Sequence, residues 1–164
     1  MTEKRIGEFR IGQGFDIHPW STDPARKFTL GGVVFDGVPG LVGHSDADVA
    51  AHACTDAILG ACALGDIGTM FPDTDEEHKG ADSIEMLRLA TAHINEAGWL
   101  VGNVDCTVIL DKPKLSPHRS TMVENLARAV QAPVSIKGKR TEGVASLQDG
   151  VQCLAIALVV RADL

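Results

Sequence analysis

The chain contains no apolar run long enough to cross a bilayer, which takes about 20 consecutive apolar residues. Its N-terminus lacks the charged-then-apolar pattern of a secretion signal. No C-x-x-C pair occurs among its four cysteines, Cys54, Cys62, Cys106 and Cys153, which argues against a cysteine-ligated zinc or a disulfide framework. Each cysteine sits in an apolar segment, so buried free thiols in a reducing cytosol are expected. Positive charge is in deficit: the formal net charge is -7, which argues against nucleic acid as a partner. An anionic small molecule is compatible with that balance, because a metal or a lysine can outweigh net charge locally. Internal repeats, low-complexity segments, charge blocks and linkers are all missing, so one domain over residues 1–164 is expected. These absences point to a cytoplasmic protein with no membrane partner, or to a plastid-stroma-like compartment if a transit peptide was removed.

What is present suits a soluble globular domain. The 164 residues are 45% apolar and 23% charged, enough for one proper core. Apolar and β-branched clusters predict strands at 7–15, 28–35, 102–110, 133–139 and 151–160. Helices are predicted at 46–64, 82–97 and 118–130. The first begins at Ser45 and Asp48, a capping-box-like start, and Gly65 follows its end. Asp82-Ser83 with Glu85 opens the second, and Ser116-Pro117 the third. Glycine and proline mark turns at 31–32, 37–40 and 112–117. Strands and helices interleave, which predicts an α+β fold with mostly one β-sheet and helices packed on one face.

Chemistry concentrates in Gly12-Gln13-Gly14-Phe15-Asp16-Ile17-His18. As a strand, this segment puts Asp16 and His18 on one face. A carboxylate and an imidazole side by side, beside two glycines that allow close approach to the backbone, form two-thirds of a zinc site. The candidate third ligand is His52. It lies on a helix that is apolar around most of its circumference, yet Asp48, His52 and Asp56 are spaced four apart on one face. Buried polar groups in a line are costly unless satisfied. A metal on His52, with Asp48 and Asp56 orienting the ring from behind, would satisfy them. A solvent-facing polar stripe is the alternative. An Asp/His/His set leaves a fourth position open, the catalytic pattern for zinc, although other divalent ions also accept these ligands.

Further candidates are weaker. His44 and Ser45 precede the first helix, where its N-terminus attracts phosphate, but Ser45 serves equally as a cap. Gly65-Asp66-Ile67-Gly68 and Phe71-Pro72-Asp73-Thr74-Asp75 form a polar loop that turn chemistry alone can explain. Lys112-Pro113-Lys114 is either a solvated turn or a contact for phosphate and base. Glu142 is a lone carboxylate after the fourth strand.

Together these stretches resemble the 2-C-methyl-D-erythritol 2,4-cyclodiphosphate synthase family. Besides Gly14–His18 and His52, the matching pieces are Gly43-His44-Ser45-Asp46-Ala47-Asp48-Val49, the two loops at 65–68 and 71–75, Lys79-Gly80-Ala81-Asp82-Ser83, Gly102-Asn103-Val104-Asp105, and Pro113-Lys114 with Pro117-His118. They occur in family order over almost the whole chain. The resemblance implies a homotrimer with active sites between subunits. Its substrate would be the cytidine diphosphate compound 4-diphosphocytidyl-2-C-methyl-D-erythritol 2-phosphate, cyclised with loss of CMP. It makes Asp16, His18 and His52 zinc ligands at the substrate, and Glu142 the holder of a magnesium or manganese ion bridging the diphosphate. His44 and Ser45 would hold the methylerythritol phosphate, with His44 stabilising the transition state. Asp66, Ile67, Gly68, Phe71, Pro72, Asp73, Thr74 and Asp75 would line the sugar-alcohol pocket. Leu110, Pro113, Lys114, Leu115 and Ser116 would hold the cytidine, with Lys139 and Glu142 also against the substrate.

The chain departs from the family pattern at Lys139-Arg140-Thr141-Glu142-Gly143. The family's phosphate-polarising threonine aligns with Arg140 without a gap and with Thr141 if one is allowed. Arg140 could neutralise phosphate in its place. Asp149 stands nearest to a later family arginine, which has no clear counterpart. A zinc-dependent hydrolase and a non-catalytic trimeric zinc protein are the competing readings.

Overall fold

The computed structural model describes residues 8–74 and 80–162. Strands β1 (Phe9–Pro19), β6 (Gly150–Arg161), β4 (Trp99–Ile109) and β5 (Val134–Lys139) form a sheet in that spatial order. Pairing is antiparallel for β1–β6 and β6–β4 and parallel for β4–β5, so the sheet is mixed. Helix α4 (Arg119–Val130) makes the crossover that the parallel pair requires. A separate hairpin, β2 (Lys27–Leu30) with β3 (Val33–Pro39), precedes helix α1 (Val49–Cys62). Short helix α2 (Ile67–Met70) and helix α3 (Ser83–Glu96) follow. The α+β class and a principal sheet with helices against one face agree with expectation.

Alternation along β1 decides which sheet face the helices cover. Gly12 and Gly14 are buried, whereas Ile11, Phe15 and Ile17 remain exposed on the other face. A Cβ on Gly12 would lie 2.0 Å from the Ala57 carbonyl oxygen, and one on Gly14 1.9 Å from that of Ala53. Glycine is therefore required where β1 crosses α1. Helix α1 answers with small residues, and Ala50, Ala53, Cys54 and Ala57 are fully buried. The predicted close approach at these glycines is thus made by a helix backbone, not by a ligand.

Several boundaries move for identifiable reasons. The predicted strand 28–35 is a hairpin, because Gly31 and Gly32 turn the chain with φ of 57° and 69°. The predicted strand 7–15 runs on to Pro19, since β6 pairs with it as far as Gly150, while Gly7 lies outside the described residues. Helix α1 starts after Asp48, not at 46: the Asp48 carboxylate accepts hydrogen bonds from the Ala50 and Ala51 amides, at 3.0 and 3.2 Å. It also accepts from the Gly32 amide at 2.7 Å, tying the hairpin turn to the helix start. Ser45 is not the cap. The loop after α1 contains α2, capped by Asp66. All four cysteines are buried and unbridged. Among the described residues no helix is long and apolar enough to cross a membrane.

The glycine contact gives a direct stability test. Gly14→Ala should cost at least about 2 kcal/mol in urea unfolding, because its Cβ meets backbone that must separate. Gly60→Ala, on the same helix, meets nothing within 4 Å and should be neutral or stabilise by about 0.5–1 kcal/mol. Equal effects of the two substitutions would remove the argument.

Candidate metal centre and active site

Asp16 and His18 sit on the β1 face that packs on α1, and His52 projects from the first turn of that helix. Asp16 Oδ2 lies 3.2 Å from His18 Nε2 and 3.0 Å from His52 Nδ1, and the two ring nitrogens are 3.3 Å apart. A tetrahedral zinc with bonds of about 2.0–2.2 Å holds neighbouring donor atoms about 3.3 Å apart. The three atoms therefore already form nearly one face of such a tetrahedron, and they form the one potential ligand cluster among the described residues.

Electrostatics favour positive charge at this point. Burial opposes ionisation of Asp16, but hydrogen bonds and charge from His18 and His52 outweigh it and hold the carboxyl well below the usual carboxylate range. Burial likewise lowers the His18 pKa, and the Asp16 carboxylate and Val42 carbonyl more than reverse this. His18 Nδ1 faces the Val42 carbonyl at 2.5 Å and donates to it. That leaves Nε2, which shares a proton with Asp16, as the nitrogen that would bind a metal in the proton's place.

The ring of His52 is held differently from expectation. Its Nε2 lies 2.9 Å from Ser83 Oγ and 3.0 Å from Ser45 Oγ. Asp48 and Asp56 do not perform the ring-orienting role assigned to them. Asp48 is fully buried and spent on amides, with its pKa raised by burial and by neighbouring Asp46. Asp56 accepts from the Ile67 amide at 2.8 Å and so anchors α2. Helical spacing put these carboxylates on the right face of α1 but could not reveal which amides would claim them. Ser83 and Val42 were missed. Ser83 reads in sequence as the start of a helix, and nothing there shows that this helix end meets α1.

The cluster opens into a cavity of about 540 Å³ lined also by His44, Ser45, Ile67, Gly68, Phe71, Pro72 and Asp73. Ten of the predicted residues, the cluster's three included, thus share one space. Asp66 is not among the lining residues; it caps α2, its carboxylate accepting from Thr69 N and Oγ1, both at 2.7 Å. Thr74 is exposed beyond it, and Asp75 lies outside the described residues.

A second cavity, of about 360 Å³, gathers Leu110, Pro113, Lys114, Leu115, Ser116, Lys139 and Arg140. Arg119 joins them, so four cations edge a single cavity of an acidic chain. Thr141 faces elsewhere. It is buried, its hydroxyl donates to Asp111 Oδ2 at 2.7 Å, and its amide donates to Oδ1 at 3.1 Å. Those bonds hold the Asp111 carboxyl below its ordinary range. Glu142 is exposed, has a left-handed φ of 52°, and lines neither cavity. One chain therefore keeps the metal cluster apart from the 110–116 loop and from Glu142.

A family model described as the YgbB family matches residues 9–160. The chain belongs to the YgbB family. A YgbB-family relative from Azoarcus sp. (strain BH72), named 2-C-methyl-D-erythritol 2,4-cyclodiphosphate synthase, is 49% identical over 160 residues, covering 94% of this chain and 98% of the relative. One of the same name from Cupriavidus metallidurans is 50% identical over 159 residues, covering 94% of each. Among solved structures, a CDP-bound form of 2C-methyl-D-erythritol-2,4-cyclodiphosphate synthase superposes with a TM-score of 0.83 at 37% identity, over 92% of this chain and 99% of that one. The bifunctional IspDF of Campylobacter jejuni reaches a TM-score of 0.88 at 36% identity, over 96% of this chain and 44% of the larger one.

The geometry predicts the outcome of removing one ligand. His52→Ala should lower bound zinc well below one per chain and abolish turnover, because two ligands on one strand hold zinc weakly. Metal analysis after dialysis checks this, and full zinc with full activity would remove His52 from the site.

Proposed function

We propose that this chain is a phosphorus–oxygen lyase of isoprenoid precursor synthesis by the non-mevalonate route. It converts 4-diphosphocytidyl-2-C-methyl-D-erythritol 2-phosphate into 2-C-methyl-D-erythritol 2,4-cyclodiphosphate and CMP. The observation that carries the proposal is the Asp16/His18/His52 cluster at the mouth of a cavity. It stands in a chain about half identical, over nearly its full length, to proteins named for that product.

In this reading, a 2-phosphate oxygen attacks the β-phosphorus. The bond from that phosphorus to the oxygen bridging to the α-phosphate breaks, and its electron pair leaves on CMP. A phosphate nucleophile needs no base, so the protein's task is positioning and charge neutralisation. Zinc on Asp16, His18 and His52, and magnesium or manganese on Glu142 and the substrate, would supply positive charge against the diphosphate. The donor triangle suits the first ion. A single exposed carboxylate suits the second, because such ions take many ligands from phosphate and water. His44 and Ser45 hold the methylerythritol phosphate, with His44 placed to stabilise charge as the reaction proceeds. Residues 66–68 and 71–75 enclose the carbon chain. The loop from Leu110 to Ser116, with Lys114 and Lys139, receives the cytidine nucleotide.

Arg140, and not Thr141, takes the family threonine's place. Arg140 lines the cationic cavity, while the Thr141 hydroxyl is engaged by Asp111. Arg140→Ala should lower kcat about 10-fold or more without changing the unfolding midpoint. Thr141→Val should chiefly lower stability, since it leaves the Asp111 carboxylate short of a donor. The reverse pattern would return the role to Thr141.

The active unit is a homotrimer in this reading. Ile11, Phe15, Ile17 and Ile156 stay exposed on the sheet face opposite the helices, an apolar area of the kind that marks a protein contact. A neighbouring copy would cover that face and bring its 110–116 loop against this chain's metal cluster. Hybrids of a His52→Ala chain with a chain mutated in 110–116 should then regain part of the activity. No recovery in verified hybrids would count against a shared site. The reaction itself is tested by incubation with the substrate, zinc and magnesium. CMP and the cyclic diphosphate are expected, whereas an open-chain product would make the protein a hydrolase.

A further inference from the structure

We propose that Ser83, backed by Asp46, is a positioning residue that fixes the orientation of the His52 ring, so that Nδ1 faces the same point as Asp16 and His18. The inference rests on reading those three residues as a metal centre.

Ser83 is fully buried at the first turn of α3. Its Oγ makes a short contact with Asp46 Oδ1 and lies 2.9 Å from His52 Nε2. An ionised carboxylate can only accept, so the Ser83 hydroxyl proton is committed to Asp46. Ser83 Oγ therefore turns a lone pair towards Nε2. Ser45 Oγ is the other neighbour of Nε2, at 3.0 Å. It already accepts from the Ala47 amide at 3.1 Å and lies 3.3 Å from Ser83 Oγ. Ser83 Oγ is thus placed to accept from Nε2–H once a metal ion takes Nδ1, which lies 3.0 Å from Asp16 Oδ2.

Asp46 is itself held in place. It accepts from the Asp48 amide at 3.2 Å and from the Ser83 amide at 3.3 Å. The start of α1 and the start of α3 are thereby locked to the same carboxylate. A hydroxyl interposed between carboxylate and imidazole does here what a direct carboxylate partner does behind many metal-bound histidines, where loss of the partner costs about 10–100-fold in metal affinity.

Two measurements test the proposal. The first is nitrogen-15 NMR of the His52 Nε2 proton in the zinc-loaded protein. Wild type should show that proton protected from exchange with water. Ser83→Ala should lose the signal to fast exchange, and Ser83→Thr should restore it. The second is zinc competition against a chelator. Ser83→Ala should weaken zinc about 10–100-fold, with Ser83→Thr within about threefold of wild type, and Asp46→Ala should behave as Ser83→Ala. A merely structural serine would move the melting temperature and leave Nε2 proton exchange and zinc affinity untouched, and that result overturns the proposal. If Ser83→Ala does not fold, the comparison of Asp46→Asn and Ser83→Thr with wild type decides by the same two readouts. A wild-type protein without zinc affinity would refute the metal centre itself, whereas wild-type affinity retained by Ser83→Ala would refute only the role of Ser83.

Discussion

The site depends on one contact, the packing of β1 directly on the backbone of α1. Gly12 and Gly14 leave no room for a side chain against the Ala57 and Ala53 carbonyl oxygens. This closeness lets two side chains on a strand and one on a helix bring their donor atoms within about 3.3 Å of one another. Lifting the helix by a methyl group would spread the triangle before any ligand was changed. The same alternation that buries the glycines leaves Ile11, Phe15 and Ile17 on the opposite face. The donor cluster and the exposed apolar face are therefore set by a single strand register.

Around that contact the protein spends its polar groups on backbone. Asp48 joins the hairpin turn to the start of α1, Asp56 fastens α2, and Asp46 binds α1 to α3. Each carboxylate lies close to the cluster, and each holds a wall of the cavity in place. A chain with a net charge of -7 gathers Lys114, Arg119, Lys139 and Arg140 around one cavity. Local arrangement overrides net charge where an anionic substrate must be held.

Much of this was legible in sequence. Period-2 spacing placed Asp16 and His18 on one face of β1, and the apolar setting of His52 marked it as the partner. The α+β class, the three long helices and four of the strands also followed from periodicity and glycine signals. What was not legible depends on tertiary contact. Helix α1 begins after Asp48, whose carboxylate caps its first turn and also accepts from the Gly32 amide sixteen residues away, a contact no local pattern shows. The segment 28–35 folds back because consecutive glycines adopt positive φ. Ser83 entered the site because the start of α3 lands on His52, a contact no local pattern encodes. The choice between Arg140 and Thr141 was open in the sequence, which could not show that Asp111 engages the Thr141 hydroxyl.

The central claim is that β1 and α1 together present three donor atoms to one ion. Anomalous diffraction at the zinc edge, from crystals of the zinc-loaded protein, tests it most directly. The account predicts one peak per chain, about 2.0–2.2 Å from Asp16 Oδ2, His18 Nε2 and His52 Nδ1. A peak at other residues, or ligation of His52 through Nε2, would contradict it.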